Sequence, residues 1–263
     1  MNQFTAITPQ QFANKAWQRA TNYAFAAKVN VIPVVAAELA NASPLFPLGF
    51  MQIDASFQLM AITSLLPGAN LFVAPNGDWL GRYIPAVLRG YPFRLVKAQD
   101  KDKNILCIDE GSGLVVEAGR GEAFFDEAGH PARALKDMLD FISKIEVNRV
   151  VTQAAVDALQ AADLIQKWPL SMQAGDRTVA VEGLYRIDET RLNAVTDDVF
   201  LSLRKAGGLP LAYAQLLSMN QLAMLQMAGD VQARLRAKIT PPPQNPDGLL
   251  EFAFSDDGTL KFS

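Results

Sequence analysis

Arg94-Leu95-Val96, Ile105-Leu106-Cys107-Ile108 and Gly111-Ser112-Gly113-Leu114-Val115-Val116 decide the fold class. Each is a short apolar run, and polar or glycine-rich connections separate them, so they read as strands that double back on one another in an antiparallel hairpin pattern. Leu48-Gly49-Phe50-Met51-Gln52-Ile53 and Leu71-Phe72-Val73 have the same character. Pro75-Asn76-Gly77-Asp78 carries the Asn-Gly signal of a tight reversal. Hairpin signals outnumber strand–helix–strand units. The expected class is α+β, mainly antiparallel sheet with packed helices, in one domain followed by a C-terminal hairpin.

Outward from that centre the helices are read by spacing. Thr8-Pro9 opens a helix expected to reach Lys28, and Ala36 to Ala42 forms another before Pro44. Leu135, Met138, Leu139, Ile142 and Ile145 share one helical face, giving a helix from Ala132 to Ile145, with a second from Thr152 to Gln166. Val31 to Val35 is a strand or the entry to a helix, and Thr178 to Val181 and Leu184 to Ile187 are short strands. Asp188 caps a helix through Leu192, Val195, Val199 and Leu203 that ends at Gly207. Leu209 to Leu216 reads as strand and Met219 to Lys238 as a long helix. The domain spans 1–239. Residues 240–248, with three consecutive prolines, are a linker, and 249–263 alternate as a hairpin around Asp257-Gly258. Pro47 to Gln52 resembles Pro210 to Gln215, which either a duplicated half or chance in an apolar chain explains.

Composition narrows the function. Hydrophobic residues make up 50% of the 263 and charged residues 19%, against about 25% in typical domains. The chain can therefore bury a large core, and bulk disorder is excluded. A net charge of -3 provides no field for a polyanion, so no nucleic-acid partner is expected. No run reaches the length of a membrane span. Met1-Asn2-Gln3-Phe4-Thr5 lacks the basic-then-apolar pattern of a secretory signal, so a cytoplasmic location is expected.

Catalytic constellations are missing from the letters. One histidine and one cysteine, His130 and Cys107, cannot make a standard zinc site, and no metal or cofactor is expected. Cys107 sits in an apolar strand and reads as a packed thiol. His130 precedes Pro131 at a turn, and no Gly-x-Ser-x-Gly is present for it to serve. Asp109 and Glu110 are adjacent, so on a strand they point to opposite faces and do not act as a pair. Gly119-Arg120-Gly121 lacks the third glycine of a nucleotide loop.

The densest polar-aromatic stretch runs from Asn70 to Lys97. Between Leu80 and Ala98 four cations face no acid. If Gly81 to Arg89 is helical, from about Ile84 onward because of Pro85, Arg82 and Arg89 share a face. Asn70, Trp79, Arg82, Tyr83, Arg89 and Tyr91 are the candidate ligand-binding residues, suited to a carboxylate or phosphate beside an aromatic group. The plainer reading is arginines lying over a packed aromatic core.

The same stretch carries a resemblance. Asn70-Leu71-Phe72-Val73, Asn76-Gly77-Asp78-Trp79, Tyr83-Ile84-Pro85-Ala86 and Arg89-Gly90-Tyr91-Pro92-Phe93 are similar to the SapC family pattern. Ile108-Asp109-Glu110, Phe125 to Gly129, Leu184 to Asp188 and Gly208 to Ser218 extend it over roughly residues 20 to 230. Where this chain has Gly90, the family pattern often carries a second arginine. The resemblance brings no catalytic residues with it. It implies a bacterial protein linked to a surface layer or outer-membrane uptake. Three readings stay open: an accessory protein binding a small anionic or aromatic ligand or a protein partner; an enzyme modifying an amino acid or peptide with a partner enzyme; and a self-assembling layer subunit, hence a homo-oligomer.

Overall fold

A computed structural model describes residues 4–98, 103–174 and 177–239, with the two strands Phe252–Phe254 and Leu260–Phe262. The strands are β1 (Phe4–Ala6), β2 (Lys15–Trp17), β3 (Val31–Pro33), β4 (Leu48–Ile53), β5 (Ser56–Ile62), β6 (Phe93–Lys97), β7 (Asn104–Asp109), β8 (Val115–Glu117), β9 (Glu122–Ala123), β10 (Ile165–Lys167), β11 (Leu170–Ala174), β12 (Arg177–Val181), β13 (Tyr185–Ile187), β14 (Phe252–Phe254) and β15 (Leu260–Phe262). The helices are α1 (Pro9–Phe12), α2 (Leu39–Ala42), α3 (Ala86–Arg89), α4 (Arg133–Ala161), α5 (Glu189–Asn193), α6 (Asp197–Ala206), α7 (Gly208–Ser218) and α8 (Leu222–Ile239). All named pairings are antiparallel, so the α+β expectation holds. No described helix is long and apolar enough to cross a membrane.

Of three apolar clusters among the described residues, the smallest gathers Ala26, Ile32, Val73 and Leu88, and the two largest, the cores, share one helix. The larger lies under the five-stranded sheet β10-β13-β4-β5-β3 and gathers Phe46, Phe50, Ile187 and Leu211. The smaller lies between the sheets β1-β7-β6 and β8-β2-β9 and gathers Phe12, Trp17, Ile108 and Phe124. Helix α4 gives Leu135, Met138 and Ile142 to the smaller core, and Ala155, Val156 and Leu159 to the larger. At 29 residues and 1.5 Å per residue, it is about 43 Å long. The sequence had split this helix in two. Residues 146–151 contain no Gly or Pro, and Val147, Val150 and Val151 face solvent, so the apolar stripe pauses while the helix does not.

Other expectations are corrected. The helix expected from Thr8 to Lys28 is only α1: Ala16 and Trp17 are buried, and β2 takes β8 and β9 as partners on its two sides. Leu71 to Val73 is not a strand, and a single Val73–Trp79 bridge closes the Asn76-Gly77 turn instead. Gly77 has φ 91, and a side chain there would collide with Asn22. Strand β8 pairs with β2 rather than β7, because Asp109 caps a 3-10 turn and Gly113 at φ 72 swings the chain away. Ile165–Lys167 is strand β10, not the end of a helix.

Leu209 to Leu216 belongs to helix α7, not to a strand. The single helix expected between Asp188 and Gly207 is two, α5 and α6, with Val195 in the break between them; Gly207 at φ 77 ends α6 as expected and starts α7 directly. Leu211, Gln215 and Ser218 are buried at helical spacing. The likeness of 47–52 to 210–215 is therefore one of letters, since one lies along β4 and the other in α7. The linker 240–248 lies outside the described residues. Beyond it, β14 and β15 do pair, Phe252 with Phe262. The strand β5 was not read at all. Its turn uses Asp54 at φ 54 in place of a glycine signal.

Candidate ligand site between the two cores

The six residues singled out from the sequence do not meet at one point. Asn70 is 5% exposed and clamps backbone: its Nδ2 donates to the Ala26 carbonyl and its Oδ1 accepts from Phe72 N. Trp79 donates from Nε1 to the Tyr83 carbonyl at 2.8 Å and stacks on Phe72. Arg82 is exposed and forms no ion pair with a described residue. Helix α3 is a single turn beginning after Pro85, so the shared face of Arg82 and Arg89 does not exist. The Arg89 guanidinium lies 5.7 Å over the Tyr83 ring and 5.2 Å over Phe141.

What holds this region is a buried carboxylate. Glu38 Oε1 accepts from the Tyr83 hydroxyl at 2.7 Å and from Ala86 N at 2.6 Å. Its Oε2 accepts from Val35 N at 3.0 Å, the N-terminal half of a capping box. Burial, reinforced by the hydrogen bond to Glu38, pushes the Tyr83 hydroxyl up to about 12.

Beside Glu38 opens a cavity of about 540 Å³, where the two cores part. That falls within the range of about 300–1,000 Å³ usual for ligand pockets. Its walls come from the segment Pro33 to Val35, from Gln58 and Leu59 of β5, from α3, from β6 and from the middle of α4. Of the six candidates, Tyr91 alone lines it. Its ring stacks on Phe25 with centroids 3.8 Å apart, and burial raises its hydroxyl, helped by Asp109 and opposed by Ser112.

The lining is mainly apolar, with charge at a few fixed places. Arg149 forks onto Glu146 through two bonds of 2.7 and 2.8 Å, which holds the Glu146 carboxyl below its ordinary range. Thr152 Oγ1 accepts from Ala36 N and donates to the Asn148 carbonyl. Asp109 is 3% exposed and accepts from Gly111 N. Arg94 is exposed, lies 4.5 Å over the Phe4 ring and has no carboxylate partner among the described residues. It is the one cationic group of the lining left for an incoming anion.

The sequence reading passed over Glu38, Arg94 and the α4 residues. Glu38 had a signal, a lone acid inside Val34-Val35-Ala36-Ala37-Glu38-Leu39-Ala40. Arg94 lay inside the stretch already marked but was absorbed into a strand. Arg149 and Thr152 had none, because they sit where the helix was thought to break.

Comparison with known proteins adds one finding. The family model SapC matches residues 7–225, which takes in every residue of the cavity wall except Phe4. No curated protein and no solved structure matches the chain.

Proposed function

The chain belongs to the SapC family, and on that premise we propose that it is a binding protein whose cavity takes a small ligand with a flat apolar body and one anionic group. One observation carries this reading: an unpaired Arg94 faces a 540 Å³ apolar cavity whose other charges are already engaged. The aromatic wall of Phe4, Phe25, Tyr91 and Phe93 suits a planar or branched apolar body. The guanidinium suits a carboxylate.

Binding is favoured over catalysis because, of the three carboxylates lining the cavity, two are spent on fixed partners and the third, Asp109, is tied at one oxygen to Gly111 N. Glu38 takes three donors and Glu146 is forked by Arg149. A general acid or base needs a proton-transferring atom facing the substrate. Of the four residues on which an enzyme reading leaned, Trp79, Tyr83 and Arg89 touch one another, but neither they nor Arg82 line the cavity. The setting, an accessory role in a bacterial surface-layer or outer-membrane uptake pathway, follows from the family resemblance alone.

The test is a thermal-shift panel of aromatic and branched aliphatic carboxylic acids. Binders should raise Tm in the wild type, lose about tenfold in affinity in Arg94→Gln, and fail in Val87→Trp. Val87 is 44% exposed and lines the cavity, so tryptophan there blocks it without disturbing a core. A shift that survives Val87→Trp would sink the site assignment.

A further inference from the structure

The cavity borders two sheet edges, and they are not equivalent. Strand β3 ends one sheet and β6 ends another. Val34 N donates to Leu59 O, so on the part of β3 that lines the cavity Pro33 is the outward residue, and proline has no N–H to offer. On β6, Asp109 N donates to Pro92 O and Ala98 N to Lys103 O. With the register Arg94↔Cys107 and Val96↔Ile105, alternation makes these the hydrogen-bonded pairs. The N–H and C=O of Leu95 therefore point out of the sheet. They meet no partner among the described residues, and Leu95 lines the cavity.

We propose that the cavity receives an extended peptide segment that adds as a strand to the free edge of β6, pairing its backbone with Leu95. The proposal rests on the reading of the cavity as a ligand site and goes beyond it, from a small carboxylate to a peptide. Strand addition requires an edge with a free donor and acceptor, and side-chain alternation then sets sequence preference. Phe93 and Leu95 face the smaller core, and Arg94 faces the other way. A strand laid beside β6 keeps that alternation. Its apolar side chains fall beside Leu95 and Ile142, and its acidic ones beside the unpaired Arg94. The occupant is thus a peptide alternating apolar with acidic residues, chosen by charge at one face and by packing at the other.

The probe is an equimolar mixture of acetylated pentapeptide amides with valine, leucine or phenylalanine at the odd positions and glutamate at the even ones. Amide exchange at Leu95 in the full chain should slow at least about tenfold with roughly 1 mM of the mixture. The same mixture N-methylated at its central residue should lose the effect, because the side chains remain while the strand pairing is blocked. Arg94→Gln should weaken binding about tenfold. If small carboxylic acids bind in a Val87→Trp-sensitive manner while the peptides leave Leu95 exchange unchanged, the strand addition is overturned and the ligand site stands. If neither acids nor peptides respond to Val87→Trp, both are overturned.

Discussion

The Tyr83 hydroxyl donates to Glu38 at 2.7 Å across 45 residues of chain, and Ala86 N donates to the same carboxylate oxygen. One side chain thereby fixes the 3-10 turn Ala36–Glu38, the Tyr83 loop and the start of α3, all on one flank of the cavity. Glu38→Gln puts an amide N–H₂ against groups that are themselves donors. It should cost about 2–3 kcal/mol, and Tyr83→Phe about 1 kcal/mol. A double-mutant cycle by urea denaturation should show the two effects falling short of additivity by about 1 kcal/mol. Strict additivity would mean that the bond is not made.

The same pair predicts behaviour in alkali. Tyr83 is raised from 10.0 to about 12, through burial first and the Glu38 bond second. Folding therefore favours its protonated form. The contribution is complete below pH 10 and is lost as pH climbs to about 12. Difference titration of wild type against Tyr83→Phe at the tyrosinate absorbance should isolate one group titrating near 12. A difference curve centred near 10 would contradict the geometry.

Gln215 fastens α7 to the larger core's sheet. Fully buried, it accepts from Ile187 N at 2.9 Å and donates to the Leu48 carbonyl at 3.1 Å. Ser218, one turn on, accepts from Leu48 N and donates to the Gln215 carbonyl. Gln215→Leu leaves two buried backbone groups unpaired and should cost about 2–4 kcal/mol, Ser218→Ala about 1–2. Since both hold Leu48, the double variant should lose less than the sum. Calorimetry on the four proteins measures it, and a Gln215→Leu variant as stable as wild type would remove the clamp.

Gln215 also illustrates what the letters could convey. The run Gly208 to Ser218 stood out by resemblance, yet it was assigned to a strand, since an all-round apolar run has no period to separate the two structures. Its polar members Gln215 and Ser218 are clamps on distant backbone. Asn70, expected to bind a ligand, is likewise a clamp on backbone. Segments with a strong local period or a cap were legible: the β6 and β7 strands, the Asp188 cap bonded to Arg191 N at 3.0 Å, and the Gly207 stop. The cavity was not, because it is made by β5, whose turn has no glycine, and by the middle of α4, where the apolar stripe pauses. Of the six candidate residues picked from the marked stretch, only Tyr91 reaches it.

Cys107 supplies a reporter for the site. It is 6% exposed, directs its thiol to the Ile105 carbonyl and lies opposite Arg94 in the register of β6 and β7. Burial raises the thiol, while the Arg94 charge pulls the other way. A disulfide reagent at pH 8 should therefore modify the native chain about a hundredfold or more slowly than the urea-unfolded chain. Arg94→Gln removes the opposing charge and should slow the native reaction further. An anion seated on Arg94 neutralises the same charge, so a ligand of the proposed kind should slow it in wild type and leave Arg94→Gln unchanged. A ligand that slows both proteins equally would be acting by blocking access or by stabilising the whole fold, and not through the guanidinium.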